Sequence, residues 1–185
     1  MNGSRKIITR AVVAMAAVVG LGLTIPQASA AEGAGNAEVS LSRIAGVAVS
    51  PRASASTLEV ASASPKAVMA TAALCGAGYN LFQAVRLPDA SRKGTLFIYN
   101  TSDLSGTCAV FDNNLATSKY MKLKLCEEKI GGKCSIDEGN FTQYAGPVKI
   151  TGRYVFCAPV TAIMKDSASS SKAIIDFEAP STPCN

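Results

Sequence analysis

An all-β domain is the expectation: a small, disulfide-stapled antiparallel sandwich or barrel preceded by a flexible N-terminal arm. Three observations predict it. From Cys75 onward, apolar residues alternate over short runs. Clusters of Asp, Asn, Ser and Gly separate those runs at regular spacing. All six cysteines, Cys75, Cys108, Cys126, Cys134, Cys157 and Cys184, lie in that same part of the 185-residue chain.

The first element is a leader. "MNGSRKIITR" carries Arg5, Lys6 and Arg10 and no acid, "AVVAMAAVVGLGLTI" is apolar or neutral, and Ala28-Ser29-Ala30 closes the segment with small residues. Basic, apolar, small is the order of a secretory signal peptide, so residues 1–30 are expected to be removed. The apolar run falls short of the roughly 20 residues that span a bilayer, which predicts no transmembrane anchor after cleavage. No cysteine precedes Cys75, so a lipid-modified cysteine at the cleavage point is excluded.

Residues 31–71 differ in texture from the rest of the exported chain. The stretch is rich in Ala, Ser and Val and lacks aromatic residues and a sustained period. Such a segment has little bulky surface to offset its ordering entropy, so a flexible arm is expected, spanning on the order of 35 Å as a coil. A short helix over 65–74 fits at its end, with Ser64 as cap, Pro65 in the first turn and Gly76 as the stop.

The β domain is assigned to residues 72–185. Its candidate strands are "YNLFQAVRL" (79–87), "TLFIYN" (95–100), "TCAVFDN" (107–113), "YMKLKLC" (120–126), "KCSID" (133–137), "FTQYAG" (141–146), "PVKI" (147–150), "RYVFCA" (153–158) and "KAIIDFE" (172–178). Pro147 has no N–H for a ladder, so it belongs at a bulge or an edge, and 141–150 is read as one bent strand or two short ones. A domain of this size without Trp buries a thin core, and staples help it most.

Within "YMKLKLCEEKIGGKC", Met121, Leu123 and Leu125 share one face, and Lys122, Lys124 and Cys126 share the other. Pairing Cys126 with Cys134 sets Glu127 opposite Lys133 and leaves Lys129-Ile130-Gly131 as a three-residue turn, with Gly131 in the left-handed position. The segment is read as a stapled hairpin with its disulfide on the solvent side. For the other four cysteines, sequential pairing, Cys75 with Cys108 and Cys157 with Cys184, is the first choice. Joining Cys75 to Cys184 is the alternative.

Composition excludes several chemistries. Three of the 18 basic residues lie in the leader and none of the 13 acids do, so 15 bases face 13 acids and the mature charge is +2. That balance argues against a nucleic-acid partner. With no histidine and no C-x-x-C, a zinc site has no ligand pattern, and no metal or other cofactor is expected. The absence of histidine also removes Ser-His-Asp and Cys-His sites. A carboxylate pair would still suffice for glycoside hydrolysis. Asp103, Asp112, Asp137, Glu138, Asp166, Asp176 and Glu178 are the candidates, but most lie in turn-like stretches and Asp176 reads as facing solvent. The chain is therefore read as not an enzyme. Tyr79, Tyr99, Tyr120, Tyr144 and Tyr154 would make a sugar platform only if gathered on one face; half-buried tyrosines with wet hydroxyls are the plainer reading. "NTS" at 100–102 and "NFT" at 140–142 match the glycan acceptor pattern, and behind a bacterial-type leader both are read as chance.

"NFTQYAGPVKI" (140–150), preceded by "DEG", resembles the spore-associated protein A family of filamentous actinobacteria. "CGAGYNLF" (75–82), "TLFIYNTSDLSGTCAV" (95–110) and Cys184 extend the resemblance over 75–185. It implies a small exported protein recovered with spores or aerial growth, without an established activity, and hence no catalytic residues to transfer. It also implies a framework of Cys75, Cys108, Cys157 and Cys184 with Tyr144-Ala145-Gly146-Pro147-Val148. Two features depart from the pattern: "CAPVTAIM" lacks the Trp that follows the third framework cysteine, and Cys126–Cys134 is an addition. The expected function is a secreted, extracellular or spore-surface protein with a non-catalytic structural or interaction role, its partners being cell-wall or spore-surface components. The alternative is a secreted binding module or a protease inhibitor acting through 127–133.

Overall fold

In the computed structural model, residues 42–155 and 157–181 are described. The leader and the first part of the expected arm lie outside them, as does Cys184.

Two four-stranded antiparallel sheets form the body. The first has the order β3-β4-β5-β8, with β3 Tyr79–Leu87, β4 Gly94–Thr101, β5 Gly106–Asn113 and β8 Tyr144–Thr151. The second has the order β10-β9-β6-β7, with β6 Lys119–Cys126, β7 Cys134–Phe141, β9 Pro159–Lys165 and β10 Ile175–Pro180. Their facing sides share one core, in which Leu96, Ile98, Ala109 and Phe111 of the first sheet meet Met121, Leu123, Val160 and Met164 of the second. The fold is thus a sandwich and not a closed barrel.

The two sides of the sandwich end differently. On one, β7 and β8 follow each other through Thr142-Gln143, and side chains of β7 reach the free edge of β8. Gly146 N–H donates to Asp137 Oδ2 at 2.7 Å, and Lys149 N–H donates to Ser135 Oγ at 3.3 Å. Unpaired edge groups are satisfied in this way without a ladder. On the other side, β3 and β10 do not pair, and the sandwich is open there.

The N-terminal segment corrects the expected arm. Residues 42–71 are folded, so the ordered unit begins before residue 72. β1 Arg43–Ile44 and β2 Val47–Ala48 form a hairpin around Ala45-Gly46, both at positive φ, as a two-residue mirror-image turn requires. α1 spans Ala55–Ala63 and α2 Pro65–Cys75. Ser54 caps α1 by accepting from Thr57 N–H at 3.1 Å. The helix expected over 65–74 is present, but Ser64 makes no side-chain cap bond and serves as the C-cap of α1.

Both helices lie on the outer face of the first sheet. Val49, Val60, Ala61 and Val68 bury there against Leu81, Phe97, Tyr99 and Val110. Every residue from Gly94 to Asn100 is buried as a result. A strand covered on both faces reads as a continuous apolar run, and "TLFIYN" is such a run. The same segment seals the β3 edge: Val49 bridges to Leu81, Ser50 N–H donates to the Leu81 carbonyl at 2.8 Å, and Ala84 N–H donates to Thr57 Oγ1 at 3.3 Å.

Three further expectations meet the structure. The reading of 141–150 as one bent strand or two short ones meets a single bulged strand, β8, that begins at Tyr144, while Phe141 ends β7. Pro147 sits both on an edge strand and at a bulge, where the register skips between Ala109 and Phe111. The described residues of the run 153–158 form no strand: Arg153 and Tyr154 lie in a turn and Cys157 takes φ +61. Its place is taken by β9, whose Val160, Ala162 and Met164 alternate into the core between β6 and β10.

Candidate functional site

The disulfide framework follows the sequential pairing as far as it is described. Cys75, the last residue of α2, is bonded to Cys108 in β5, so one staple ties the helical layer to the sheet. Cys126 is bonded to Cys134, with the two facing in register at the mouth of the β6–β7 hairpin. Cys157 is also disulfide-bonded. In the stapled loop Gly131 takes φ +69. Glu127 N–H donates to the Lys133 carbonyl, and Gly132 N–H to the Lys129 carbonyl, each at 2.9 Å. Glu127 stands opposite Lys133 as expected, and its carboxylate accepts from Lys129 Nζ at 2.9 Å and from Lys133 N–H at 3.1 Å. The Lys129 and Lys133 bonds hold the Glu127 carboxyl below the usual glutamate range. Ile130 at the tip is fully exposed.

Five of the seven candidate carboxylates are scattered, while Asp176 and Glu178 stand two residues apart on one strand. Asp103 closes the β4–β5 turn, accepting from Thr101 Oγ1 at 2.6 Å and from Ser105 N–H at 3.1 Å; these bonds lower its pKa to about 2. Asp137 serves the β8 edge. Glu138 accepts from Lys122 Nζ at 2.8 Å and from the Tyr120 hydroxyl, and both lower its pKa. Asp166 pairs with Lys119 at 2.7 Å, which lowers it likewise. Asp112 is partly buried in β5, and that burial raises its pKa. Asp176 and Glu178 both occupy the exposed face of β10. Asp103, Asp137, Glu138 and Asp166 thus have separate structural duties, Asp176 and Glu178 face solvent, and Asp112 is half-buried.

The tyrosines are not gathered on one face either. Tyr99 is buried, Tyr79 and Tyr144 pack against the outer-face cluster, Tyr120 meets Glu138, and Tyr154 is exposed with Lys129 Nζ 4.8 Å from its ring centre.

What the fold does assemble is a crevice on its open side. One concavity of about 250 Å³ is lined by Arg52, Ser54, Thr57, Phe82, Gln83, Ala179 and Pro180, between β3 and β10. A second, of about 300 Å³, lies beyond Arg52, where Ser50, Pro51, Asn80, Asn100, Thr101, Ser102 and Leu104 line it. Arg52 is common to both. Asn100 is 3% exposed; its Oδ1 accepts from Thr107 Oγ1 at 3.0 Å, while its Nδ2 has no hydrogen-bond partner. Leaving a buried donor unpaired costs about 1–3 kcal/mol. Asn80 Nδ2 donates to Ser102 Oγ at 2.9 Å.

In the sequence Asn100 stands out only as a glycan acceptor, a role its burial precludes in the folded chain. The available signal is an amide ending the otherwise apolar run "TLFIYN". Arg52 falls in the expected arm, and nothing near it in the sequence announces its approach to β3. Among the described residues no group of His, Cys, Asp and Glu could hold a metal ion, and no helix is long and apolar enough to cross a membrane. No family model matches the chain, and neither a curated protein nor a solved structure matches it.

Proposed function

We propose that this is an exported, spore- or cell-surface-associated protein with a non-catalytic structural or interaction role. The observation that carries the reading is the state of the thiols. Every cysteine among the described residues is bonded, and one bond joins two layers of the fold. Disulfides used as framework belong to oxidising compartments, outside the cytoplasm. The leader-like segment and the resemblance over 75–185 point the same way, toward cell-wall or spore-surface partners. The acids add support, since four of the seven candidates hold a turn, an edge or a surface ion pair.

The test is fractionation of the native producer. Spores, hyphae and medium are separated, washed with mild detergent and probed for the chain under non-reducing conditions. The expected result is oxidised protein released from the spore or hyphal surface. Protein found only free in the medium, or in the cytoplasm with free thiols, overturns the proposal.

One observation favours a second reading, a secreted protease inhibitor acting through 127–133: Ile130 projects fully exposed from a hairpin closed by a disulfide. Stoichiometric inhibition of a secreted protease, lost in Ile130→Asp, would establish it. No inhibition across serine, cysteine, aspartic and metalloproteases would remove it.

A further inference from the structure

We infer that the concavity beside Asn100 is a binding site for a small carboxylate. Its lining is rich in donors and holds no acid. Asn100 is one of the lining residues, and its Nδ2 is buried and without a hydrogen-bond partner. Oδ1 of the same amide is fixed on Thr107 Oγ1, which determines which end of the amide is left for a ligand. Arg52 brings a guanidinium with five donors and makes no ion pair among the described residues. Asn80 spends one N–H on Ser102 Oγ and keeps the second. Asp103, between the lining residues Ser102 and Leu104, is not itself in the lining; its Oδ1 accepts from Thr101 and Ser105 at the turn.

A carboxylate is the complement of this set. It accepts and does not donate, and its two oxygens divide between an amide N–H and a guanidinium fork. A neutral hydroxyl would leave the cation unmatched. Pro51 and Leu104 give apolar walls to whatever carries the carboxylate. A volume of about 300 Å³ suits a single sugar acid or an acylated amino acid and not a long chain. Both sources share the recognised group.

The inference does not depend on where the protein resides, because it is tested on the purified, oxidised full chain. The measurement is a two-dimensional amide NMR titration that follows the Asn100 side-chain NH2 pair and Arg52 Nε. The titrants are D-glucuronate and N-acetylalanine, with D-glucose and inorganic phosphate as comparisons. The expected result is a saturable shift of both reporters with at least one carboxylate. Which carboxylate saturates identifies the source. Arg52→Gln, at an exposed position, should weaken that binding about tenfold or more while leaving the β4 amide signals in place. Asn100→Asp keeps the oxygen that faces Thr107 and turns the donor into a repelling acceptor, so it should abolish binding. The inference fails if neither carboxylate saturates at tens of millimolar. It also fails if glucose or phosphate binds equally well, or if Arg52→Gln binds like the parent.

Discussion

The Tyr99 hydroxyl, in the middle of the first sheet, lies 2.6 Å from Thr71 Oγ1 in α2. It also donates to the Val68 carbonyl at 3.0 Å. The side chain is fully buried, and that burial pushes the phenol well above the ordinary tyrosine range, with the Thr71 bond acting in the opposite direction. A folded-state pKa above the unfolded one means that the unfolded chain ionises first. The stabilisation is complete below about pH 10 and is lost as pH rises toward the folded value. The parent should therefore lose stability steeply above about pH 10. Tyr99→Phe, less stable at neutral pH by about 1 kcal/mol for its lost hydroxyl bonds, should lose less over the same interval. Urea midpoints between neutral and strongly alkaline pH check it; parallel curves would refute the assignment.

Asp112 gives a second pH signature, at the acid end. Its burial raises the folded-state pKa, so its contribution is fully present below the unfolded carboxyl value, about pH 4, and is lost as pH rises from there through the folded value. Asp112→Asn should raise Tm at neutral pH, with the gain vanishing below about pH 4. Thermal melts at the two pH values decide; an equal gain at both would show that charge is not the cause.

The two described staples should differ in value. Cys75 and Cys108 close a loop of 33 residues, Cys126 and Cys134 one of 8. By loop entropy the first contributes about 4 kcal/mol and the second about 2.5 kcal/mol. Replacing each pair with Ala and comparing denaturant midpoints at unchanged slope tests the order. Loss of the short staple should also speed hydrogen exchange at 127–133 while leaving α2 protected. Loss of the long one should expose α2.

Gly146 has no room for a side chain. Its φ is +101, and a Cβ there would lie 2.9 Å from the Ala109 carbonyl oxygen and 3.0 Å from Leu123 Cδ2. Gly146→Ala combines backbone strain with overpacking and should cost about 2–4 kcal/mol, read as a lowered unfolding midpoint. A change within experimental error would mean that the β8 bulge relaxes freely.

The Gly146 bulge is legible in the sequence because Pro147 cannot donate to a ladder. The stapled hairpin is legible for a similar reason: alternation in 120–126, the cysteine spacing and Gly131 all specify one register. Long-range covering is not. Val49, Val60, Ala61 and Val68 are small, and their segment lacks a strong apolar period, so local reading finds nothing there to fold. Their partner is a sheet face supplied by distant residues, and small side chains let the helices approach it closely. The counterpart signal stands in β4, where both faces of "TLFIYN" are apolar; a strand of that kind needs a cover on its second face, and no neighbouring residue supplies one. The crevice is hidden for the same reason, since Arg52 reaches Asn80 and Asn100 only once 49–57 lies along β3. β9 escapes notice because Pro159 begins it and "RYVFCA" just before it looks more strand-like.

That covering yields a last prediction. If residues 42–71 were dispensable, a chain begun at residue 72 would fold as well as one begun at residue 39. The structure predicts otherwise. Val49, Val60 and Val68 bury against the first sheet, and Ser50 and Thr57 seal the β3 edge. Removing three buried valines with their neighbours forfeits on the order of 5 kcal/mol, comparable to the whole stability of a modest domain. It also bares Phe97 and Val110 on an open face. The chain begun at 72 should bind a hydrophobic dye, unfold without a cooperative transition and associate through β3, as unprotected edges do. The chain begun at 39 should melt cooperatively and stay monodisperse. Equal melting curves for the two would refute the three-layer arrangement, because the outer sheet face would then be stable bare.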